Sequence, residues 1–377
     1  MDMSTQHPRA AAPAIAHPPA PPGATPAVPP VTLRGARAAA SRAGGPVLRA
    51  RTPDRGVGDP AVEGDLTLDR TPDGVGPDEA LDTSPDTAAD ALLDTVAGGA
   101  VGPTGRPLPH FPEPPVLHHH GPARVVAMCN QKGGVGKTTS TINLGASLAG
   151  YGRRVLLVDF DPQGALSVGL GVNPHERDLS VYNVLMERST SAADVLLKTN
   201  VPGMDLLPSN IDLSAAEVQL VSEVAREHVL RRALAPLLPY YDVVLVDCQP
   251  SLGLLTINAL TAADGVIVPL ECEFFALRGV ALLQETIDKV GERLNERLVI
   301  DGLLATMYDS RTVHAREVVH RLVEAFGDKV FHTVVSRTVR FPESTVAQTP
   351  ITSYAPASPG ADAYRTLARE VLHRWDS

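Results

Sequence analysis

Apolar and polar positions fall into regular blocks over the last two thirds of the chain. An apolar run of strand length, RVVAMCN, precedes a glycine-rich loop, QKGGVGKTT, and then a segment with helically spaced Ile142, Leu144 and Leu148. Two further apolar runs, VLLV before Asp159 and VVLV before Asp247, have the length of buried strands. Strand and helix signals that alternate in this way predict an α/β fold, with a mainly parallel, twisted sheet and helices on both faces.

The composition divides the chain near residue 123. Residues 1–123 hold 22 of the 34 prolines but only one aromatic residue, Phe111. A segment so poor in core-forming side chains is expected to be disordered, so we predict a Pro/Ala-rich tail over residues 1–123. Residues 124–377 are long enough, and rich enough in Val, Leu and Ile, for one sizeable domain.

Several classes of protein are excluded by what the sequence lacks. The longest apolar stretches, such as Val243–Val246, are far shorter than the roughly 18 residues of a membrane-spanning helix. The N-terminal residues have no apolar segment typical of a secretory signal. Cys129, Cys248 and Cys272 are odd in number and have no CxxC spacing, which argues against a disulfide framework and against a zinc or iron–sulfur site. We therefore expect a cytoplasmic protein with reduced, buried thiols.

Charge in the tail is divided between a basic and an acidic half. Residues 1–51 carry six arginines and one aspartate, whereas residues 52–100 carry two arginines and twelve acids. Such blocks are typical of a solvated linker, or of an arm that contacts a partner. The stretch Ala88–Val96 has helix formers that would suit docking to a polar or division protein. His118–His120 stand in a flexible Pro/Gly context, which favours a linker over a metal site.

The glycine-rich loop has the composition of a phosphate-binding loop. Gly133, Gly134 and Gly136 allow consecutive backbone N–H groups to surround a polyphosphate at the N-terminus of the following helix. Lys137 can reach the β and γ phosphates, and the Thr138 hydroxyl can bind Mg²⁺. The residues predicted to contact the nucleotide in this loop are Lys132, Gly133, Gly134, Val135, Gly136, Lys137, Thr138 and Thr139.

The loop departs from the common GxxxxGK[ST] pattern at one position. That pattern requires glycine where this chain has Gln131, and the loop carries an extra lysine, Lys132, to give KGGVGKTT. The sequence resembles the deviant Walker A motif of the MinD/ParA family of P-loop ATPases. The resemblance implies a homodimer formed face to face around ATP, in which Lys132 of each subunit meets the phosphates bound to the other.

Three aspartates follow the two later strands, at the edge of the sheet where a hydrolase needs them. VLLVDFDPQ resembles the family's Walker A′ block, and VVLVDCQPSLGLL resembles its Walker B block, with Gln249 at a position where the family usually has proline. The resemblance implies that Asp161 orients the attacking water. It also implies that Asp159 supports the Mg²⁺ shell and that Asp247 holds Mg²⁺ through water.

The likeness extends from about Arg124 to about Val371 and is nearest to chromosomal, Soj-like ParA partition ATPases. It implies a nucleoid-associated ATPase that segregates chromosome or plasmid origins with a ParB-like partner, and whose hydrolysis that partner stimulates. The family's adenine contacts lie near the segment read here as VVSRTVR. Ser336 and Thr338 stand there at the family's Pro and Asn positions, so backbone contacts would be kept but a side-chain amide contact would be lost.

Net charge alone does not predict affinity for DNA, because residues 124–377 carry 24 basic and 29 acidic side chains. Residues 311–340, however, have six arginines or lysines and three acids. Arg311 and Arg340 match positions where Soj-like proteins place arginines that contact the DNA backbone. The resemblance therefore implies sequence-independent binding of double-stranded DNA, with a strong salt dependence.

Three other interpretations remain. A MinD-like positioning ATPase acts on a membrane or a protein scaffold, and it reaches lipid through a C-terminal amphipathic helix. The stripe of Tyr364, Leu367, Val371 and Leu372 is more typical of core packing, so we expect no membrane contact. A nitrogenase-type iron–sulfur reductase would need paired cysteines. A scaffold that acts only through its tail would not need an intact KGGVGKTT loop.

Overall fold

The computed structural model describes residues 100–273 and 276–376. Residues 1–99, which belong to the predicted disordered tail and include the predicted docking segment Ala88–Val96, lie outside the described residues. The described part of the chain forms an α/β unit built on a single sheet.

Seven strands form the sheet in the described part of the chain. They are β1 (Arg124–Met128), β2 (Val155–Phe160), β3 (Leu197–Lys198), β4 (Met204–Leu207), β5 (Val243–Cys248), β6 (Gly265–Glu271) and β7 (Val299–Thr306). Their order across the sheet is β3-β4-β2-β5-β1-β6-β7. All neighbours are parallel except β3 and β4, which are antiparallel. The predicted mainly parallel sheet is thus confirmed.

Helices connect the strands and cover the sheet. They are α1 (Lys137–Gly150), α2 (Ala165–Gly169), α3 (Val181–Met186), α4 (Ala192–Val195), α5 (Leu213–Gln219), α6 (Val229–Leu234), α7 (Leu254–Ala262), α8 (Ala276–Arg293), α9 (Val313–Phe326), α10 (Arg340–Val346), α11 (Ile351–Tyr354) and α12 (Pro359–Asp376). Short 3₁₀ turns join several of them.

The two faces of the sheet carry separate hydrophobic cores. In β1, Val125 and Ala127 belong to one core, whereas Val126 and Met128 belong to the other, as expected when successive side chains point to opposite faces. Residues of α1 and α12 pack in the core of Val126, and residues of α7, α8 and α9 pack in the other. Helices therefore cover both faces, as the sequence predicted.

The C-terminal helix α12 is part of the core. Tyr364, Leu367, Val371 and Leu372 are all buried, and the helix packs against α1. The predicted core role of this stripe is confirmed. None of the helices in residues 100–273 and 276–376 is long and apolar enough to cross a membrane.

The segment over residues 100–123, predicted to belong to the disordered tail, lies against the domain instead. The Arg106 guanidinium donates to the backbone oxygens of Gly327 and Val330, at 3.3 and 2.7 Å. Nearer the domain, Arg153 donates to the backbone oxygen of Pro115 at 2.8 Å. The proline content of a segment does not predict such contacts, because they depend on side chains and carbonyls that are distant in sequence.

The histidine run ends in a hydrogen bond between side chains. Nδ1 of His120 lies 2.7 Å from Oδ2 of Asp242, whose other oxygen accepts from the backbone N–H of Gly121. These two contacts join the segment before β1 to Asp242. Within residues 100–273 and 276–376, no group of three or more His, Cys, Asp or Glu side chains is arranged to hold a metal ion.

Candidate nucleotide-binding site

Two aspartates stand opposite each other at the carboxyl ends of neighbouring strands. Asp159 of β2 pairs in register with Asp247 of β5, and β1 lies on the other side of β5. Both side chains are almost fully buried. The loop that follows β1 therefore leaves the sheet beside this carboxylate pair, as expected for sites at the carboxyl ends of parallel strands.

The loop between β1 and α1 has the backbone of a phosphate cradle. Gly134 and Gly136 have φ angles of 75° and 84°, in the left-handed region that glycine adopts without strain. Helix α1 begins directly after the second of them, at Lys137. Free N–H groups at the first turn of a helix and the helix dipole both favour an anion at this point.

Lys137 points back along the loop. Its side chain is buried, and Nζ donates to the backbone oxygen of Lys132 at 3.1 Å. This contact folds the loop over the lysine, so that the ammonium group lies within the loop where phosphates would sit.

Asp247 is bound by the first turn of α1. The hydroxyl of Thr138 donates to Oδ2 of Asp247 at 2.6 Å, and the hydroxyl of Thr141 donates to Oδ1 at 3.2 Å. Burial, and then the negative charge of Asp159, raise the pKa of Asp247 to about 7. Two carboxyls that resist ionisation together provide an oxygen-rich position for a divalent cation.

Asp159 is held by Ser167 of α2, a residue that sequence reasoning missed. The backbone N–H and the hydroxyl of Ser167 both donate to Oδ2 of Asp159, at 2.8 and 2.6 Å. Burial nevertheless raises the pKa of Asp159 to about 7. Asp161, two residues further on, is partly exposed, and its Oδ1 accepts from the backbone N–H of Gln163 at 3.0 Å. Asp161 is thus accessible to solvent beside the two buried aspartates.

A cavity of about 670 Å³ adjoins the loop. It is lined by Gly136, Thr139, Thr306, Met307, Val335, Ser336, Arg337, Thr338, Val339, Phe341, Pro342, Thr345 and Tyr364. The structure thus places Ser336 and Thr338 on the wall of a space that begins at the phosphate loop. Apolar walls with a few polar groups are typical of nucleobase pockets.

Lys132 is bound by carboxylates of its own chain. Nζ donates to Oε2 of Glu271, at 3.0 Å, and to a carboxylate oxygen of Glu273. The second oxygen of Glu271 accepts from the guanidinium of Arg337, at 3.1 Å. Sequence reasoning did not single out either glutamate, because each stands about 140 residues from Lys132 and carries no motif of its own.

The segment after β5 contacts α5. The side-chain amide of Gln249 lies 3.4 Å from both carboxylate oxygens of Glu217. Glu217 also packs closely against Gly253, where a side chain would collide with its carboxylate. Gln249 is thus tied to a neighbouring helix through Glu217, a residue that no sequence pattern marked.

The two arginines predicted to bind DNA lie on the surface in local ion pairs. Arg311 makes a two-pronged contact with Asp309, with both distances 2.9 Å, and Arg340 pairs with Glu343 at 2.8 Å. The side chain of Arg311 is 86% exposed and that of Arg340 is 54% exposed. Because exposed pairs of this kind are weak, both guanidinium groups remain accessible to another anion.

Comparisons with known proteins agree with this geometry. A family described as an AAA domain matches residues 123–300. The chain is 46% identical to the sporulation initiation inhibitor protein Soj of Bacillus subtilis, over 66% of this chain and 98% of that protein. It is 47% identical to the chromosome partitioning protein ParA of Caulobacter vibrioides, over 67% of this chain and 95% of that protein. The chain belongs to the ParA/Soj family of chromosome-partitioning ATPases.

Other matches extend the same family likeness. An uncharacterised protein of Mycobacterium tuberculosis is 64% identical over 74% of this chain and 87% of that protein. A solved structure named cobyrinic acid a,c-diamide synthase, from Mycobacterium smegmatis with bound ADP and magnesium, is 44% identical to this chain, with a TM-score of 0.60. The match covers 68% of this chain and 96% of that chain. The structure of the cell division ATPase MinD of Pyrococcus furiosus is 26% identical, with a TM-score of 0.55. The match covers 67% of this chain and 99% of that chain.

The family assignment and the α/β fold predicted from the sequence are both confirmed. The predicted loop residues and the aspartates of β2 and β5 come together at one edge of the sheet, and Ser336 and Thr338 line the adjoining cavity. Arg311 and Arg340 lie apart from the loop in sequence, on the segments that follow β7 and begin α10.

Proposed function

We propose that this chain is an ATP-dependent partition ATPase that dimerises on binding ATP, binds double-stranded DNA without sequence preference and is stimulated by a ParB-like partner. The observation that supports this proposal most directly is the loop itself. It combines a buried lysine, Lys137, with a second, half-exposed lysine, Lys132, beside a pair of buried aspartates.

The loop and the adjoining cavity fit the two ends of a nucleoside triphosphate. Backbone N–H groups from Gly133 to Thr139 would bind the phosphates, with Lys137 neutralising the β and γ oxygens. The base would lie in the cavity lined by Ser336 and Thr338. Since neither side chain carries an amide, we expect recognition of the adenine edge through backbone groups of this segment.

The residues around Asp247 fit a magnesium ion. Mg²⁺ prefers six oxygen ligands, several of them water. The hydroxyl of Thr138 already lies 2.6 Å from Asp247, and Asp159 is opposite on the next strand. We assign Thr138 as a direct ligand, Asp247 as a ligand through water and Asp159 as support for that shell. The ion would supply charge neutralisation at the phosphates during hydrolysis.

Two side chains would serve the chemical step. Asp161 is partly exposed beside the pair of buried aspartates, so its carboxylate is available to orient a water molecule. Lys132 of one subunit would reach the phosphates held by the other, in the manner of an arginine finger. Hydrolysis should therefore be slow until the dimer closes correctly.

Binding to DNA would use the exposed guanidinium groups of Arg311 and Arg340. Each can exchange its surface carboxylate partner for a backbone phosphate at little cost. A dimer carries two copies of each residue, which doubles the number of phosphate contacts. Such contacts carry no sequence information. We therefore place the protein on the nucleoid in the cytoplasm.

A MinD-like role at a membrane receives no support from α12. That role requires an apolar helix face free to enter lipid, whereas the apolar face of α12 is buried against the core. Action on a protein scaffold would depend on the tail, which could recruit a polar or division protein.

The experiment that tests the proposal is DNA binding by the full-length protein with ATP, with ADP and without nucleotide. Two unrelated duplexes and two salt concentrations should be compared. We expect binding that requires ATP, is equal on both duplexes and weakens steeply with salt. Intact ATP hydrolysis without DNA binding under any condition would instead favour a MinD-like positioning ATPase.

A further inference from the structure

We propose that Glu271, assisted by Glu273, holds the amine of Lys132 inside its own subunit and thereby limits how readily two subunits join around ATP. This inference rests on the proposed function, because it concerns the lysine that would cross between subunits. It adds a positioning role for two carboxylates that lie outside the phosphate loop.

The contact joins the end of β6 to the start of the loop. Glu271 is the last residue of β6, and its side chain is only 16% exposed. Oε2 accepts from Lys132 at 3.0 Å, while Oε1 accepts from Arg337 at 3.1 Å. A carboxylate bound on both oxygens and largely buried has little freedom, so it fixes the amine of Lys132 at a defined position.

Glu273 supplies a second anion to the same amine. It stands two residues beyond Glu271, is 51% exposed and also accepts from Nζ of Lys132. The Glu273 contact, and next the Glu271 contact, raise the pKa of Lys132 above its usual range. The amine therefore has two partners within its own chain, and both must be given up before it can reach a phosphate in another subunit.

Arg337 connects this contact to the nucleotide cavity. Its guanidinium occupies Oε1 of Glu271 and so directs Oε2 toward Lys132. Arg337 also lines the cavity, between Ser336 and Thr338. Glu271 thus joins Lys132 to a residue that lines the proposed base pocket.

The dimer dissociation constant should be sensitive to this contact, because each subunit must break it once when a dimer forms. A half-exposed ion pair typically alters an equilibrium by about two- to five-fold. Each dimer releases two lysines, so removal of one carboxylate per subunit should tighten dimerisation by the square of that factor, about four- to twenty-five-fold.

The test compares Glu273→Gln and Glu271→Gln with the wild-type protein and with Asp362→Asn. Asp362 is an exposed, ion-paired carboxylate on α12, so its amide variant controls for the loss of one negative charge. The first measurement is the rate at which limiting acetic anhydride labels Lys132 in nucleotide-free, full-length protein, followed by mass spectrometry. The second is the dimer dissociation constant with a non-hydrolysable ATP analogue, by analytical ultracentrifugation.

We expect labelling of Lys132 to rise about two- to five-fold in both glutamate variants, because a freed amine is more often neutral. Dimerisation should tighten in the same variants, and Asp362→Asn should match wild type in both measurements. Unchanged labelling would overturn the proposed contact. Faster labelling with unchanged or weaker dimerisation would overturn its role in limiting the dimer.

Failure of the proposed function gives a different pattern. If wild type and Asp362→Asn both remain monomeric with the ATP analogue, dimerisation itself is refuted, and the inference falls with it. A wild-type protein that dimerises, with glutamate variants that do so no more tightly, refutes the inference alone.

Discussion

Asp159 and Asp247 face each other in register across the β2–β5 pair, and both carboxyls are buried. The negative charge of Asp159 is, after burial, the main cause that raises the pKa of Asp247 to about 7. The strand pairing thus places two like charges side by side in the core. The arrangement destabilises the protein without a bound cation and prepares it to bind one.

The first prediction concerns pH. The pKa of Asp247 is raised from 3.8 to about 7, so the folded protein binds more protons than the unfolded chain between these values. Its contribution to stability is present below pH 4 and is lost as pH rises through 7. Asp247→Asn should therefore stabilise nucleotide-free protein at pH 8, by on the order of 3 kcal/mol, and much less at pH 5. Urea unfolding at both pH values measures this difference.

Asp309 provides a control, because its pKa is shifted in the opposite direction from that of Asp247. Its ion pair with Arg311 lowers its pKa to about 2, so its contribution is present above pH 4 and is lost as pH falls toward 2. Asp309→Asn should therefore not stabilise the protein at pH 8. If Asp247→Asn and wild type lose stability in parallel between pH 5 and 8, the buried carboxyl is not protonated in the folded state.

Lys137→Ala should severely weaken nucleotide binding. The variant removes a buried ammonium group from the loop, and the loss of a buried charged partner costs about 3 kcal/mol, or roughly a hundred-fold in affinity. Titration with a fluorescent ATP analogue measures the change. Lys289→Ala, on the exposed side of α8, should bind normally. Wild-type affinity in Lys137→Ala would refute the assignment of the phosphate loop.

Asp161→Ala should separate nucleotide binding from hydrolysis. Since its carboxylate would orient water and not bind phosphate, ATP affinity should remain within about three-fold while hydrolysis falls by roughly a hundred-fold or more. The variant should dimerise with ATP and stay on DNA. Phosphate release measures the rate, with the exposed Asp178→Ala as a control. An unchanged hydrolysis rate would remove Asp161 from the mechanism.

Arg311→Ala and Arg340→Ala should weaken DNA binding equally on all sequences. Each substitution removes two phosphate contacts from a dimer, so the slope of log affinity against log salt should fall by about 2. Fluorescence anisotropy over a range of salt concentrations measures the slope. Arg188→Ala, an exposed arginine elsewhere on the surface, should keep the wild-type slope. A loss of affinity with no change in slope would point to misfolding instead.

Glu370→Ala should destabilise the segment that leads into the cavity wall at Val335. The buried carboxylate of Glu370 accepts from the backbone N–H groups of His332 and Thr333, at 2.8 and 3.0 Å. Without the carboxylate, these two N–H groups have no acceptor, which should destabilise the fold by about 3 kcal/mol and lower ATP affinity. Glu370→Gln keeps an acceptor oxygen and should destabilise the fold less. Thermal unfolding and ATP titration measure both effects. A fully stable Glu370→Ala protein would contradict this role.

Much of the site could be predicted from the sequence because its parts are local. The glycines and Lys137 lie within one short loop, and Asp159 and Asp247 each end an apolar run. Parallel strands bring such ends to a common edge, so the grouping follows from the fold class. The residues that support the site were not predictable in this way. Ser167 and Glu217 have no sequence feature that separates them from ordinary surface or capping residues.

The sequence by itself determined the family and the mainly parallel sheet, and it predicted a phosphate-binding role for the loop. These depend on side chains close together in the chain, and a local pattern records them. Only the tertiary structure decided that residues 100–123 lie against the domain through Arg106, and that Glu271 binds both Lys132 and Arg337. Such contacts join segments far apart in sequence, so they exist only once strand order and helix packing have fixed which segments meet.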